Sequence, residues 1–215
     1  MITVPSLKFE RAFWSRGLEW VAGLDEVGRG AWAGPVVAGA IILPRMTRIP
    51  RALERVRDSK LLSPRQREKL IEPIHAFAVT CAIGEATQAE IDKFGIVPAT
   101  QLAMQRALAA LAIPPTALLI DALALPDLAV PQRAIIRGDQ QSLSIACASI
   151  LAKVARDRMM IELDGELLGY AFGQHKGYGT AQHRAALEKL GASAAHRTSF
   201  APIRNLPQGL VPAGG

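Results

Sequence analysis

Four acidic residues stand where apolar runs end. Asp25 and Glu26 follow Val21, Ala22 and Leu24, Asp121 follows Ala117 to Ile120, and Asp139 comes shortly after Ala134 to Ile136. Acids that end separate strands of one sheet can converge at one edge, and such a cluster of hard oxygen donors repels itself unless Mg²⁺ or Mn²⁺ neutralises it. Two such ions, roughly 3.5 to 4 Å apart, clamp the attacking water and the leaving oxygen of a phosphodiester, so the chemistry would be hydrolytic. Taken singly, Asp121 suits an ordinary strand-end turn equally well, and Asp139, just before a helix, suits a cap or dipole partner better than a ligand. The adjacent pair Asp25 and Glu26 is harder to explain by capping. Neighbouring strand residues face opposite ways, so both reach one site only if the strand ends or bulges between them.

The elements that must position these acids begin with the stretch Trp20 to Leu43. Its first apolar run leads into the two acids, Gly28 and Gly30 free the backbone around Arg29, and Pro35 opens a β-branched run from Val36 to Ile42 that reads as a buried strand. Ser63, Pro64 and Gln66 start a helix with Leu70, Ile71 and Ile74 on its apolar face. The alternation from His75 to Gly84 predicts a third strand. Thr87 and Glu90 form a capping box for a short helix ended by Gly95, and Leu102, Met104, Leu108 and Leu111 mark a longer one closed by Pro114 and Pro115. Strands at 117–120 and 134–136, a long helix from Ser142 to about Leu168, a glycine-rich loop and a helix between Thr180 and Gly191 complete an α/β fold on one mixed sheet.

Composition narrows the class. The chain has 215 residues, half of them hydrophobic, with no linker or repeat, which fits one globular domain. A net charge of +6 favours a polyanionic partner without identifying one. Cys81 and Cys147 form no CxxC pair and read as buried thiols of a reduced, cytoplasmic protein. Ala31 to Leu43, the longest apolar run, is too short to span a bilayer, and the charged N-terminus does not read as a secretion signal. His75, His175, His183 and His196 have no metal-ligand spacing and read as loop or surface residues, with His175 set apart by its place just before Tyr178.

Together the motifs GLDEVGRG, AGPVVAGAIIL, DSKLLS, IDKFGIVPATQLAMQRAL, LIDAL, IRGDQQSLSIACASILAKVARD, QHKGYGT and HRTSF resemble the bacterial ribonuclease HII family, in order and nearly end to end. The resemblance implies a ribonuclease H-like fold over residues 1–205 with a helical C-terminal region, and the residues at 206–215 read by their own composition as a flexible tail. It implies a monomeric endonuclease acting on RNA/DNA hybrids and ribonucleotide-containing duplex DNA, leaving a 3′-hydroxyl and a 5′-phosphate. Carried over position by position, Asp25, Glu26, Asp121 and Asp139 become metal ligands, which overrules the cap reading of Asp139. Gly28, Arg29 and Gly30 become the sensor of the ribose 2′-hydroxyl, Tyr178 packs on the next deoxyribose, and Lys60 lies near the substrate phosphate. Read without the family, Tyr178 is a surface-packed loop aromatic and Lys60 a solvated lysine; Arg197 and Ser199 are weaker phosphate candidates. The chain departs from the family at Ala122, where glycine is common, and at Gly95, where asparagine is usual. The first is expected to tighten a turn without removing the ligand, and the second to matter little to the chemistry.

Three other functions fit less well. A dinucleotide-binding oxidoreductase needs a helix where a strand follows Gly28, Gly30 and Gly34, and the spacing is GxGxxxG. A non-catalytic hybrid-binding module has no use for four carboxylates that repel phosphate. Ribonuclease HIII usually carries a further N-terminal domain, for which the stretch before Trp20 is too short. The adjacency of acids and glycine turn also carries an expectation, that Arg29→Ala weakens junction preference more than metal binding.

Overall fold

The computed structural model describes residues 4–206. Its centre is a five-stranded mixed sheet of β1 (Val21–Val27), β2 (Val36–Ile42), β3 (Thr80–Ala86), β4 (Ala117–Asp121) and β5 (Gln132–Ile135), ordered β3-β2-β1-β4-β5. β1 and β2 pair antiparallel, as do β2 and β3, whereas β4 joins β1, and β5 joins β4, in parallel. The helices are α1 (Lys8–Trp14), α2 (Pro64–Phe77), α3 (Gln88–Phe94), α4 (Ile96–Ala109), α5 (Leu143–Glu166), α6 (Phe172–His175), α7 (Ala181–Leu190) and α8 (Ala201–Arg204).

Two apolar layers sandwich the sheet. Val21 and Ile41 face α5 through Ile145, Ala148 and Leu151, while Ala22, Leu24, Ala38 and Ala40 face α4 through Ala99, Ala103, Met104 and Ala107. α5 lies very close to the sheet, because a Cβ on Gly39 would stand 2.4 Å from the Ala148 carbonyl oxygen. That proximity puts one edge of α5 beside the end of β1. A third cluster around Phe172, Tyr170, Met160 and Leu187 gathers the C-terminal helices.

Local chemistry sets most boundaries. The Ser63–Gln66 and Thr87–Glu90 capping boxes are both formed. Gly95 sits at φ +85° and ψ 162°, a region essentially confined to glycine, so the turn between α3 and α4 uses the glycine that replaces the family's usual asparagine. The strand expected from His75 begins later: α2 runs through Phe77, with Pro73 inside it, and the ladder opens only at Thr80. Apolar alternation there is the tail of a helix face followed by a strand. The expected strand at 134–136 shifts to Gln132–Ile135, leaving Ile136 exposed. Leu206 ends the described chain, so the tail expected from 206 onward lies otherwise outside the described residues. Among those residues no helix is long and apolar enough to cross a membrane.

Candidate active site

β1 neither ends nor bulges between its two acids. Asp25 pairs with Gly39, Glu26 with Ala38 and Val27 with Val37 in unbroken register, which corrects the expectation of a break. The two side chains therefore leave opposite faces at the end of the strand. Asp25 shares the parity of Val21 and turns toward α5, where Ser149 stands beside it; Glu26 shares the parity of Leu24. Asp121 ends the adjacent parallel strand one residue beyond the Leu24–Ile120 pair. It is the bridge between the two faces, since it acts electrostatically on both Asp25 and Glu26.

Asp139 does not terminate a strand. It lies in a 3₁₀ turn, Gly138–Gln140, entered through Arg137 at φ +55°. The Gly138 N–H donates to Asp121 Oδ1 at 2.6 Å, tying this turn to β4. Ala122, directly after Asp121, sits at φ +52°, a left-handed conformation that glycine adopts without strain, so the turn accommodates the alanine at a cost.

The electrostatics are those of a crowded acidic edge. Burial pushes Asp25 well above the usual carboxylate range, Glu26, Asp121 and Asp139 add to the rise, and Ser149 opposes it. Burial likewise raises Glu26, against the Arg29 charge. Asp139 is pushed up to about 6, first by burial and then by Asp58 and Asp121, with Lys60 acting in the opposite sense. Asp58 is a buried acid that the local pattern Asp58-Ser59-Lys60 does not reveal; it accepts from the Lys60 N–H at 2.9 Å and from Gln140 Nε2 at 3.1 Å. Lys60 itself is exposed beside this group.

Glu26 Oε2 is buried and has no hydrogen-bond partner, while Oε1 pairs with Arg29 Nη1 at 3.2 Å. Among the described residues no three His, Cys, Asp or Glu side chains form a ready-made metal-binding group. The acids instead spend lone pairs on protein donors, as Asp25 Oδ1 does on the Glu26 N–H at 2.7 Å. An orphaned buried oxygen, mutually raised proton affinities and an all-oxygen donor set nonetheless fit a hard divalent cation.

The glycine turn is packed from below. A Cβ on Gly28, at φ +94°, would stand 2.2 Å from Arg156 Nε. Tyr178 is half-buried, with its ring centroid 5.6 Å from the Arg156 guanidinium, and the Trp32 N–H donates to the Gly177 carbonyl at 2.8 Å. Turn and tyrosine loop thus form one packed unit.

Several expectations fail here because distant segments meet. His175, His183 and His196 are buried, not at the surface; only His75 is exposed. The Ser193 N–H donates to His196 Nδ1, which leaves the neutral ring's proton on Nε2 to face His183 Nε2 at 3.0 Å. His183 then donates from Nδ1 to the Tyr178 carbonyl at 3.1 Å. Arg197 is fully buried against carbonyl oxygens, which takes it out of reach of a phosphate, while the exposed Ser199 donates to Asp92 at 2.6 Å.

Comparison with known proteins agrees with this geometry. The family model of ribonuclease HII matches residues 22–203. Ribonuclease HII of Synechococcus sp. (strain JA-3-3Ab) is 51% identical over 210 residues, covering 98% of this chain and 94% of the relative. Ribonuclease HII of Thermus thermophilus is 50% identical over 198 residues, covering 92% and 94%. The crystal structure of ribonuclease H2 from Pyrococcus horikoshii OT3 superposes with a TM-score of 0.70 at 26% identity, over 86% of this chain and 95% of that one. Bst-RNase HIII, solved in complex with Mn²⁺, shares the fold at a TM-score of 0.66 and 20% identity, over 86% and 68%. The mixed sheet with acids at the ends of its central strands is thus the ribonuclease H-like fold of a nuclease. The chain belongs to the ribonuclease HII family, and it is an endoribonuclease of the ribonuclease H type.

Proposed function

We propose that this endonuclease cuts the RNA-containing strand of RNA/DNA hybrids and nicks duplex DNA at single embedded ribonucleotides, leaving a 3′-hydroxyl and a 5′-phosphate, as a monomer in the cytoplasm. The observation that carries the reading is the run Asp25 to Gly30, in which two acids of the cluster pass through Val27 into a glycine turn packed beside Tyr178. Asp25, Glu26, Asp121 and Asp139 would hold two Mg²⁺ or Mn²⁺ ions, which supply activation of the attacking water and stabilisation of the leaving oxygen. Asp25 and Glu26 approach from the two faces of β1, and Asp121 joins them. Gly28 to Gly30 present backbone where a 2′-hydroxyl, the group that separates RNA from DNA, must be sensed. Tyr178 offers its ring to the following sugar, and Lys60 stands exposed beside Asp58 and Asp139 to meet a phosphate. A purely binding module would gain nothing from carboxylates that repel the phosphate chain.

Incubation with Mg²⁺ or Mn²⁺ and a duplex bearing one ribonucleotide tests the reading. A single nick beside that ribonucleotide, with a 3′-hydroxyl end, is expected; an intact strand, or cutting unrelated to the ribonucleotide, would overturn it.

A further inference from the structure

The largest fully buried side chains in the described structure are Arg156 and Arg197, and no carboxylate pairs with either among the described residues. Arg156 reaches from α5 and donates to the carbonyls of Pro35 at 2.8 Å, Lys176 at 2.9 Å and Ala33 at 3.1 Å. Arg197 donates twice to Gly34, at 3.0 and 2.9 Å, and once to Arg29 at 3.0 Å. The five acceptors lie in two segments, 29–35 and the residue that opens the Tyr178 loop. Burial and the neighbouring Arg156 charge bring Arg197 down to about 9, so it remains a cation at neutral pH; burial lowers Arg156 as well.

Two buried guanidiniums without acid partners are an expensive way to brace a loop, and hydrophobic side chains could fill the space. A forked donor does something apolar packing cannot, because it fixes the orientation of peptide planes. In a trans peptide the carbonyl and the following N–H point in opposite directions. With the Arg29 carbonyl held inward by Arg197, the Gly30 N–H points away from the core at an exposed residue.

We propose that Arg197 and Arg156 are positioning residues for substrate discrimination. Arg197 sets the Arg29–Gly30 peptide so that its N–H faces the sugar, and Arg156 clamps that turn to the Tyr178 loop so that a ribose and the next deoxyribose are read at a fixed separation. The inference rests on the proposed reading of the turn and Tyr178 as sugar contacts.

The test is the ratio of dissociation constants for an all-DNA duplex and one with a single ribonucleotide, measured without divalent cations for the wild type, Arg197→Lys and Arg156→Lys. Lysine keeps the charge but loses the fork. The expected result is a ratio that falls by roughly tenfold in each variant while the affinity for all-DNA duplex stays within about threefold. A merely structural role would lower both affinities together and leave the ratio unchanged, which would overturn the inference. If the wild type shows no preference, the reading of the turn fails first. Hydrogen exchange on the unmodified protein decides the matter even where a variant does not fold. The Trp32 and Gly34 amides, bonded to Gly177 and Ala195, are expected to be protected before duplex binds, and protection that appears only with duplex would overturn the proposal.

Discussion

The acidic edge and the glycine turn are joined by one residue, Val27, yet they satisfy their buried polar groups in opposite ways. At the edge, carboxylates crowd one another, Glu26 Oε2 has no partner, and Ala122 and Arg137 hold left-handed backbone. Beneath the turn, every guanidinium nitrogen of Arg156 and Arg197 donates, to five carbonyls between them, and His196 and His183 pass a hydrogen-bond chain to the Tyr178 carbonyl. On the proposed function, the difference means that selection and chemistry are prepared separately. The turn is organised before any ligand arrives, whereas the acids are left short of positive charge, which a cation would supply. Arg29 crosses the boundary, because its backbone belongs to the turn while its side chain pairs with Glu26. Arg29→Ala therefore touches both regions, and the expected larger loss of junction preference than of metal binding is read against the loss of its pair with Glu26.

The comparison can be broken from either side. The largest effect is expected at the acids: Asp25→Asn should lower cleavage of a ribonucleotide-containing duplex by about a thousandfold while duplex binding persists. Cleavage within a few-fold of wild type would remove Asp25 from the chemistry. Gly28→Ala forces a Cβ against Arg156 at positive φ and should cost roughly 2 kcal/mol or more in urea unfolding, along with most of the ribonucleotide preference. Unchanged stability and preference would show that the turn is not braced from below.

The imidazoles give a pH signature. His183 and His196 are pulled down to about 4, chiefly by burial, so the unfolded chain takes up their protons first. Their contribution is complete above the ordinary value near 6.5 and is lost as the pH falls toward 4, worth up to about 3 kcal/mol each. Asp139 titrates in the opposite sense, with a contribution present at low pH and lost as the pH rises through about 6. The clean readout is therefore a difference: the melting temperature of His196→Phe should depend less on pH between 6.5 and 4 than that of the wild type. Superimposable profiles would contradict the buried chain. The smallest effect is expected at the strained turn, where Ala122→Gly should stabilise by about 1 kcal/mol with the acids unmoved; a loss of stability would mean that the left-handed backbone costs nothing.

What can be read from the sequence follows the range of the interactions involved. The β1–β2 hairpin, both capping boxes and the acids of β1 and β4 are set by neighbours within a few residues, and local patterns carry them. The start of β3 is obscured because the end of α2 continues the same apolar alternation. Arg156, Arg197 and the three buried histidines escape a local reading because their partners lie far along the chain, as Arg197 lies from Arg29 and Gly34. A basic or imidazole side chain carries no local mark of burial.

The separation of a prepared turn from a waiting acidic edge can be tested in one titration. Fluorescence anisotropy with EDTA present should already show tighter binding to a duplex with one ribonucleotide than to its all-DNA counterpart, and added Mg²⁺ or Mn²⁺ should then start nicking beside the ribonucleotide without enlarging that preference. A preference that is absent in EDTA and appears only with the cation would contradict the account.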